Sequence, residues 1–124
     1  MNTPRRRPAT ARFEVLAPST TGKLRVLRVG EVELMIDSRV LRVGRQVMHL
    51  PAREFQVLQV LMDNAGRVVS RGEFLEICWG SGHRDTGKTL DVHITRLRRK
   101  LRALGGPDQI RTVYGAGYIY DLSG

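Results

Sequence analysis

The residues with the clearest chemistry lie between Lys88 and Leu104, KTLDVHITRLRRKLRAL. Read at 100° per residue, Leu90, Ile94, Leu97, Leu101 and Leu104 fall on one stripe, the spacing by which an amphipathic helix buries one face. The opposite face carries Lys88, Val92, Thr95, Arg96, Arg99 and Arg102, with Arg98 and Lys100 at its flanks. Asp91 is the only acid in the stretch. One side is suited to a core and the other to something negative. Val92 is the odd member, a small apolar side chain amid cations. A helix lying in a DNA major groove has a use for it, because a thymine methyl takes an apolar contact while Arg and Thr meet polar base edges. The bland alternative is a solvated basic face with one incidental Val.

Other chemistry fails on spacing. His49, His83 and His93 share no metal-ligand spacing with Cys78 or with each other. Ser81, His83 and Asp85 hold the letters of a triad, but alternate residues of a glycine-rich loop fix no base–nucleophile geometry. Gly115-Ala116-Gly117 is no phosphate loop, since no helix follows it. An enzyme is not expected, nor is a cofactor.

The elements that must position the basic face can be read from the rest of the chain. Its 124 residues support one domain. There are 21 Lys and Arg against 12 Asp and Glu, a formal charge of +9. That balance favours a polyanionic partner, nucleic acid before an anionic membrane surface. No apolar run approaches the ~20 residues of a membrane span, and no apolar segment follows the N-terminal arginines to make a secretory signal. A single cysteine, Cys78, excludes an internal disulfide framework, and a reducing cytosol is the simplest compartment.

Residues 1–23 hold three of the five prolines and the basic Arg5, Arg6, Arg7, Arg12 and Lys23, and read as a disordered arm. Its role is either solubility or added phosphate attraction. From Leu24 to Leu50 the apolar period is two, and four short strands suggest an antiparallel meander. Pro51 opens a helix with the stripe Phe55, Leu58, Leu61, Met62 and Ala65, and Gly66 stands where a left-handed cap is wanted. Ser70 and Glu73 form a capping box for a second helix, about Arg71 to Trp79, with Phe74, Leu75 and Cys78 as core candidates. Gly80 ends it. After Leu104, Gly105-Gly106-Pro107 breaks the third helix, and IRTVYGAGYIYD reads as a hairpin. The expected fold class is therefore α+β. It is a winged helix-turn-helix with an N-terminal four-stranded antiparallel sheet, three helices and a C-terminal β-hairpin wing.

REFQVLQVLMDNAGRVVSRGEFLEICWG, KTLDVHITRLRRKL and IRTVYGAGY together resemble the DNA-binding domain of OmpR/PhoB-type response regulators of two-component systems, over residues 24–122. The resemblance implies a transcriptional regulator that binds double-stranded promoter DNA in a sequence-specific way. It places helix 88–104 in the major groove and wing 110–121 beside it. It further implies a second copy on direct-repeat half-sites and RNA polymerase as another partner. By position, the base-reading candidates are Val92, Thr95 and Arg96, and Arg96 suits guanine O6 and N7. Lys88, Thr89, Arg98, Arg99 and Thr112 are backbone candidates. Trp79 and Tyr118 match positions able to meet the DNA backbone; core and wing packing is their alternative role. Gly80, Ser81, Gly82, His83, Arg84 and Asp85 correspond to the polymerase-contacting loop, or merely join two helices.

Two departures qualify the resemblance. The 124 residues hold no receiver domain and no acidic cluster for phosphorylation, and an arm beginning at Met1 favours a stand-alone regulator over an excised effector domain. In the wing, Tyr114 and Ile119 stand where family members often carry basic residues, and Tyr114 is the expected tip. A winged-helix module that binds protein or structured RNA is the alternative function, because fold alone does not fix function.

Overall fold

The period-two segment folds into a meander closed at one edge by an additional strand. In the computed structural model, which describes residues 12–15, 25–80 and 88–122, the strands are β1 (Arg12–Val15), β2 (Arg25–Val29), β3 (Val32–Met35), β4 (Val40–Val43) and β5 (Gln46–His49). They form one antiparallel sheet in sequence order. The last four are the expected strands. β1 comes from the segment read as a disordered arm, so the sheet has five strands rather than four. Without it β2 would present a row of unpaired backbone groups at the sheet edge. The alternating Arg-Phe-Glu-Val supplies a partner for that row, in the register Arg12↔Arg28 to Val15↔Arg25.

Alternation then decides the two faces. Leu27, Leu34, Leu41 and Met48 are register partners across one rung, and the first three are buried. Arg28, Glu33 and Arg42 form the adjacent rung on the other face. There Glu33 meets Arg28 at 2.6 Å and Arg42 at 3.4 Å. This ladder satisfies the charges of a solvated face while the inner face packs on the helices.

α1 (Ala52–Asp63) lies on that inner face. Phe55, Leu58, Leu61 and Met62 are buried as expected, and so are Val57 and Val60. The buried arc is wider than one stripe because the helix packs against the sheet and the other two helices. Gly66 departs from its expected role. The helix ends at Asp63 with Asn64 as its cap. Gly66, at φ +87°, instead turns the chain so that its N–H donates to the Tyr120 carbonyl at 2.9 Å.

α2 (Arg71–Trp79) has the expected bounds because its end signals are local. The Glu73 N–H donates to Ser70 Oγ at 3.1 Å, and the Ser70 N–H donates to Glu73 Oε1 at 2.9 Å. That second bond holds the Glu73 carboxyl below its ordinary pKa. Gly80 ends the helix at φ +95°. α3 (Lys88–Ala103) crosses below, and Leu90, Ile94, Leu97, Leu101 and Leu104 are all buried.

One charged pair joins α1 to α3 inside the fold. Glu54 is buried at 3% exposure, and Lys100 donates to its Oε1. Removing one partner strands the other charge in low dielectric. Lys100→Met is therefore expected to lower unfolding free energy by about 3 kcal/mol, the low end for a broken buried pair because Lys100 keeps some solvent contact. Adding Glu54→Met should recover most of the loss. Denaturant unfolding of both variants checks this, and a single variant as stable as the parent would refute it.

Candidate nucleic-acid interface

With its stripe in the core, α3 turns Val92, Thr95, Arg96, Arg99 and Arg102 to solvent. Val92 is 43% exposed. Thr95 Oγ1 donates to the Asp91 carbonyl at 3.0 Å. Its proton is thereby committed, leaving a methyl and acceptor lone pairs facing out. Arg96 and Arg99 make no hydrogen bond or ion pair among the described residues. The side chain of Lys88 lies outside the described residues, as do Ser81, Gly82, His83, Arg84 and Asp85.

The N-terminal half of α3 is braced on α2. His93 Nδ1 lies 2.7 Å from the Thr89 carbonyl, and its ring meets Trp79 edge-on at 5.6 Å. Arg53 lies over the Trp79 ring, 4.8 Å from its centre, and donates to the Cys78 carbonyl. Trp79 is half-buried and packs against the core. Cys78 is buried, and desolvation pushes its thiol up to about 11, so it is a packing residue rather than a nucleophile. Among the described residues no cluster of three His, Cys, Asp or Glu could hold a metal.

The wing is a hairpin of β7 (Ile110–Val113) and β8 (Gly117–Tyr120). It carries a third, two-residue strand from the segment just before α2. β6 (Val69–Ser70) pairs with β8, giving the order β6-β8-β7. Gly117 makes this possible. A Cβ there would lie 2.0 Å from the Val69 carbonyl oxygen, and its φ of +152° disfavours any side chain. Tyr114, 91% exposed, stands at the tip.

Two residues of α3, one heptad apart and so on one face, tie the wing to the helix. Asp91 accepts from Arg71 Nη2 at 2.5 and 2.6 Å and from the Tyr118 hydroxyl. Arg98 donates from Nε to the Ile110 carbonyl at 3.0 Å and from Nη2 to Thr112 Oγ1 at 2.9 Å. The Tyr118 ring takes both guanidinium groups, at 5.6 Å from Arg71 and 5.7 Å from Arg98, and meets Phe74 edge-on. Its phenol is held above its ordinary pKa, chiefly by burial. The hydrogen bond to Asp91 likewise raises Arg71.

The structure thus separates the expected site residues into groups. Val92, Thr95, Arg96 and Arg99 share an open face. Thr112, Arg98 and Tyr118 are engaged within the wing joint, and Trp79 in the α2–α3 brace. Sequence reasoning gave no role to Arg71, and noted Asp91 only as the lone acid. That isolation among cations was the available signal that Asp91 has a specific partner.

A three-helix unit with a basic third helix and a docked hairpin beside it is a winged helix-turn-helix domain. The chain belongs to the family described as "Transcriptional regulatory protein, C terminal", which matches residues 44–120. It is 45% identical over 94 residues to the phosphate regulon transcriptional regulatory protein PhoB of Rhizobium meliloti. It is 40% identical over 94 residues to the sensory transduction protein RegX3 of Mycobacterium tuberculosis. Each alignment covers 75% of this chain and 41% of the relative, so the chain spans well under half the length of those proteins. Among solved structures it is similar to the DNA-binding domain of CpxR from E. coli, at TM-score 0.69 and 28% identity, covering 80% of this chain and 98% of that one. It is also similar to the Klebsiella pneumoniae RstA DNA-binding domain in complex with the RstA box, at TM-score 0.68 and 26% identity, covering 78% and 97%. No helix of the described residues is long and apolar enough to cross a membrane.

Because the Tyr118 hydroxyl is given to Asp91, Tyr118→Phe is expected to cost about 1 kcal/mol of stability, a modest value for a bond whose acceptor is partly solvated. It should leave DNA affinity at fixed salt unchanged. A variant of full stability whose affinity falls several-fold for all duplexes would show that the hydroxyl serves a phosphate instead.

Proposed function

We propose that this chain is a sequence-specific, double-stranded-DNA-binding module of a transcriptional regulator, with α3 in the major groove and the wing beside it. The observation that carries this reading is the open face of α3. An exposed Val, a Thr methyl and two arginines without partners among the described residues lie side by side on a helix fixed by its opposite stripe. A salt-bridged solvent face would carry acids there. A base-reading face needs this mixture of an apolar contact and a guanidinium fork. Family membership supports the same reading, and the RstA domain similar to this chain was solved in complex with the RstA box.

Val92, Thr95 and Arg96 are assigned to base edges. Lys88, Thr89 and Arg99 are assigned to phosphates, while Arg98, Thr112 and Tyr118 act on the backbone through the position of the wing. The site of action is bacterial promoter DNA in the cytosol. Residues 1–23, with Arg5, Arg6 and Arg7, add sequence-independent attraction to phosphates. A second copy on a direct repeat, and RNA polymerase at the 80–87 loop, are the further partners this reading entails.

Selection from random duplexes, followed by titration at several salt concentrations, tests the proposal. One preferred motif is expected. With about six phosphates neutralised, log K should fall against log salt with a slope near −5. Arg96→Ala should cost about 1–3 kcal/mol on that motif and relax one base position. Equal affinity for all duplexes, or for structured RNA of any sequence, would instead favour a shape-reading or protein-binding module.

The wing gives a separate expectation. A basic side chain at a hairpin tip gains from narrow A·T-rich minor grooves, where negative potential concentrates. Tyr114 lacks that charge. Tyr114→Arg should tighten binding, add up to about one unit to the salt slope and create a preference for A·T flanks. Comparing A·T and G·C flanks around one motif checks this. A strong A·T preference already present without residues 1–11 would overturn it.

A further inference from the structure

A notch of about 430 Å³ opens at the base of the wing, between the C-terminal half of α3 and β7. Its walls include Arg98, Arg102, Arg111, Thr112, Asp108 and Tyr114. We propose that this notch holds a phosphate of the DNA backbone, so that the wing grips the strand from its base, with the uncharged Tyr114 at the mouth. The proposal rests on the DNA-binding reading above.

Three features carry it. The first is charge: three guanidinium groups face one carboxylate, Asp108, across the notch. Asp121 also accepts from Arg111 Nε, outside the notch lining. The second is convergence. Arg98 and Arg102 lie one helical turn apart on α3, and Arg111 comes from the strand alongside, so the cations arrive from two elements. The third is preorganisation. Arg98 is already fixed by the Ile110 carbonyl and Thr112 Oγ1, which leaves Nη1 without a partner among the described residues. Arg102 is exposed and likewise has no partner among them. A planar guanidinium held in place suits the paired oxygens of a phosphate. The space exceeds a bare phosphate and leaves room for adjoining sugars, with the Tyr114 ring at the mouth to pack on them. A free small anion would use little of it.

A purely structural role exists for Arg102, since a cation in the last turn of α3 answers the helix dipole. That role predicts lower thermal stability and unchanged DNA binding. The test is the double variant Arg102→Gln, Arg111→Gln, compared with the parent on the selected duplex. The salt slope is expected to shrink by up to about one unit, with affinity reduced several-fold and the preferred motif unchanged. Ethylation interference should locate the contact. One phosphate beside the motif should be sensitive in the parent and insensitive in the double variant, while the others keep their effect. Arg102→Lys, Arg111→Lys, which keeps the charge, should retain most of the slope. Inorganic phosphate should compete no better than chloride of equal ionic strength.

An unchanged slope and interference pattern in a folded double variant would overturn the inference. So would specific competition by inorganic phosphate that abolishes the difference between parent and variant. If the parent itself selects no duplex motif, the DNA-binding reading fails instead, and the two failures are thereby distinguished.

Discussion

The seam of Leu90, Ile94, Leu97, Leu101 and Leu104 is the constraint from which the rest of the interface follows. Each such side chain gains about 1.5–3 kcal/mol on burial, and all five are removed from water together. α3 has only one rotation about its axis that achieves this. Turning it by one residue, 100°, would bring Arg98 and Asp91 toward the core and lift the leucines into solvent. The direction of Val92, Thr95 and Arg96 is therefore set by residues that never touch the outer face. α1 and the sheet act at one remove, by supplying the walls against which the seam is buried.

The wing is positioned by a different kind of contact. Little apolar surface fixes a short hairpin, so polar groups do it. Asp91 and Arg98 lie on one flank of α3 and engage β8 and β7 respectively. β6 closes the third side, and it can approach only because residue 117 has no Cβ. The result is a hairpin held at three places to the same two helices. Its position relative to the open face of α3 is thereby set through Asp91 and Arg98, two residues of that same helix.

Local signals made α2 and the α3 seam legible in the sequence. A capping box, a terminal glycine and a heptad-like stripe are each decided within a few residues of chain, and the structure has them where the pattern puts them. Gly66 was misread as a helix cap because its role depends on Tyr120, far along the chain. β1 was hidden for the same reason: four alternating residues in a proline-rich segment become a strand only when β2 offers an edge. At the site, helical spacing set Arg99 on the outward face and Arg98 at its flank, but both were given the same role toward the DNA backbone. Their partners separate them: Arg98 reaches Thr112 and the Ile110 carbonyl, whereas Arg99 faces solvent. Asp91 could be noticed as an exception to the charge pattern, but its two partners, on α2 and β8, could not be inferred.

The cations of α3 divide by what each can reach. Lys100 points inward along the edge of the seam and neutralises Glu54. Arg98 bonds the wing. Arg102 ends the helix at the notch, where its charge also meets the negative end of the dipole. Among the described side chains that leaves Arg96 and Arg99 on the face that also exposes Val92, in a chain whose formal charge is already +9. Such a face is costly to the isolated domain in two ways, through self-repulsion and through apolar surface left in water. Acidic neighbours at helical spacing would have removed the first cost, and a polar residue at position 92 the second. Neither substitution would disturb the seam, since these positions face away from it. The fold therefore does not require this surface, and a partner that is negative and presents apolar groups at the same spot would relieve both costs together, as the edge of a thymine flanked by phosphates does.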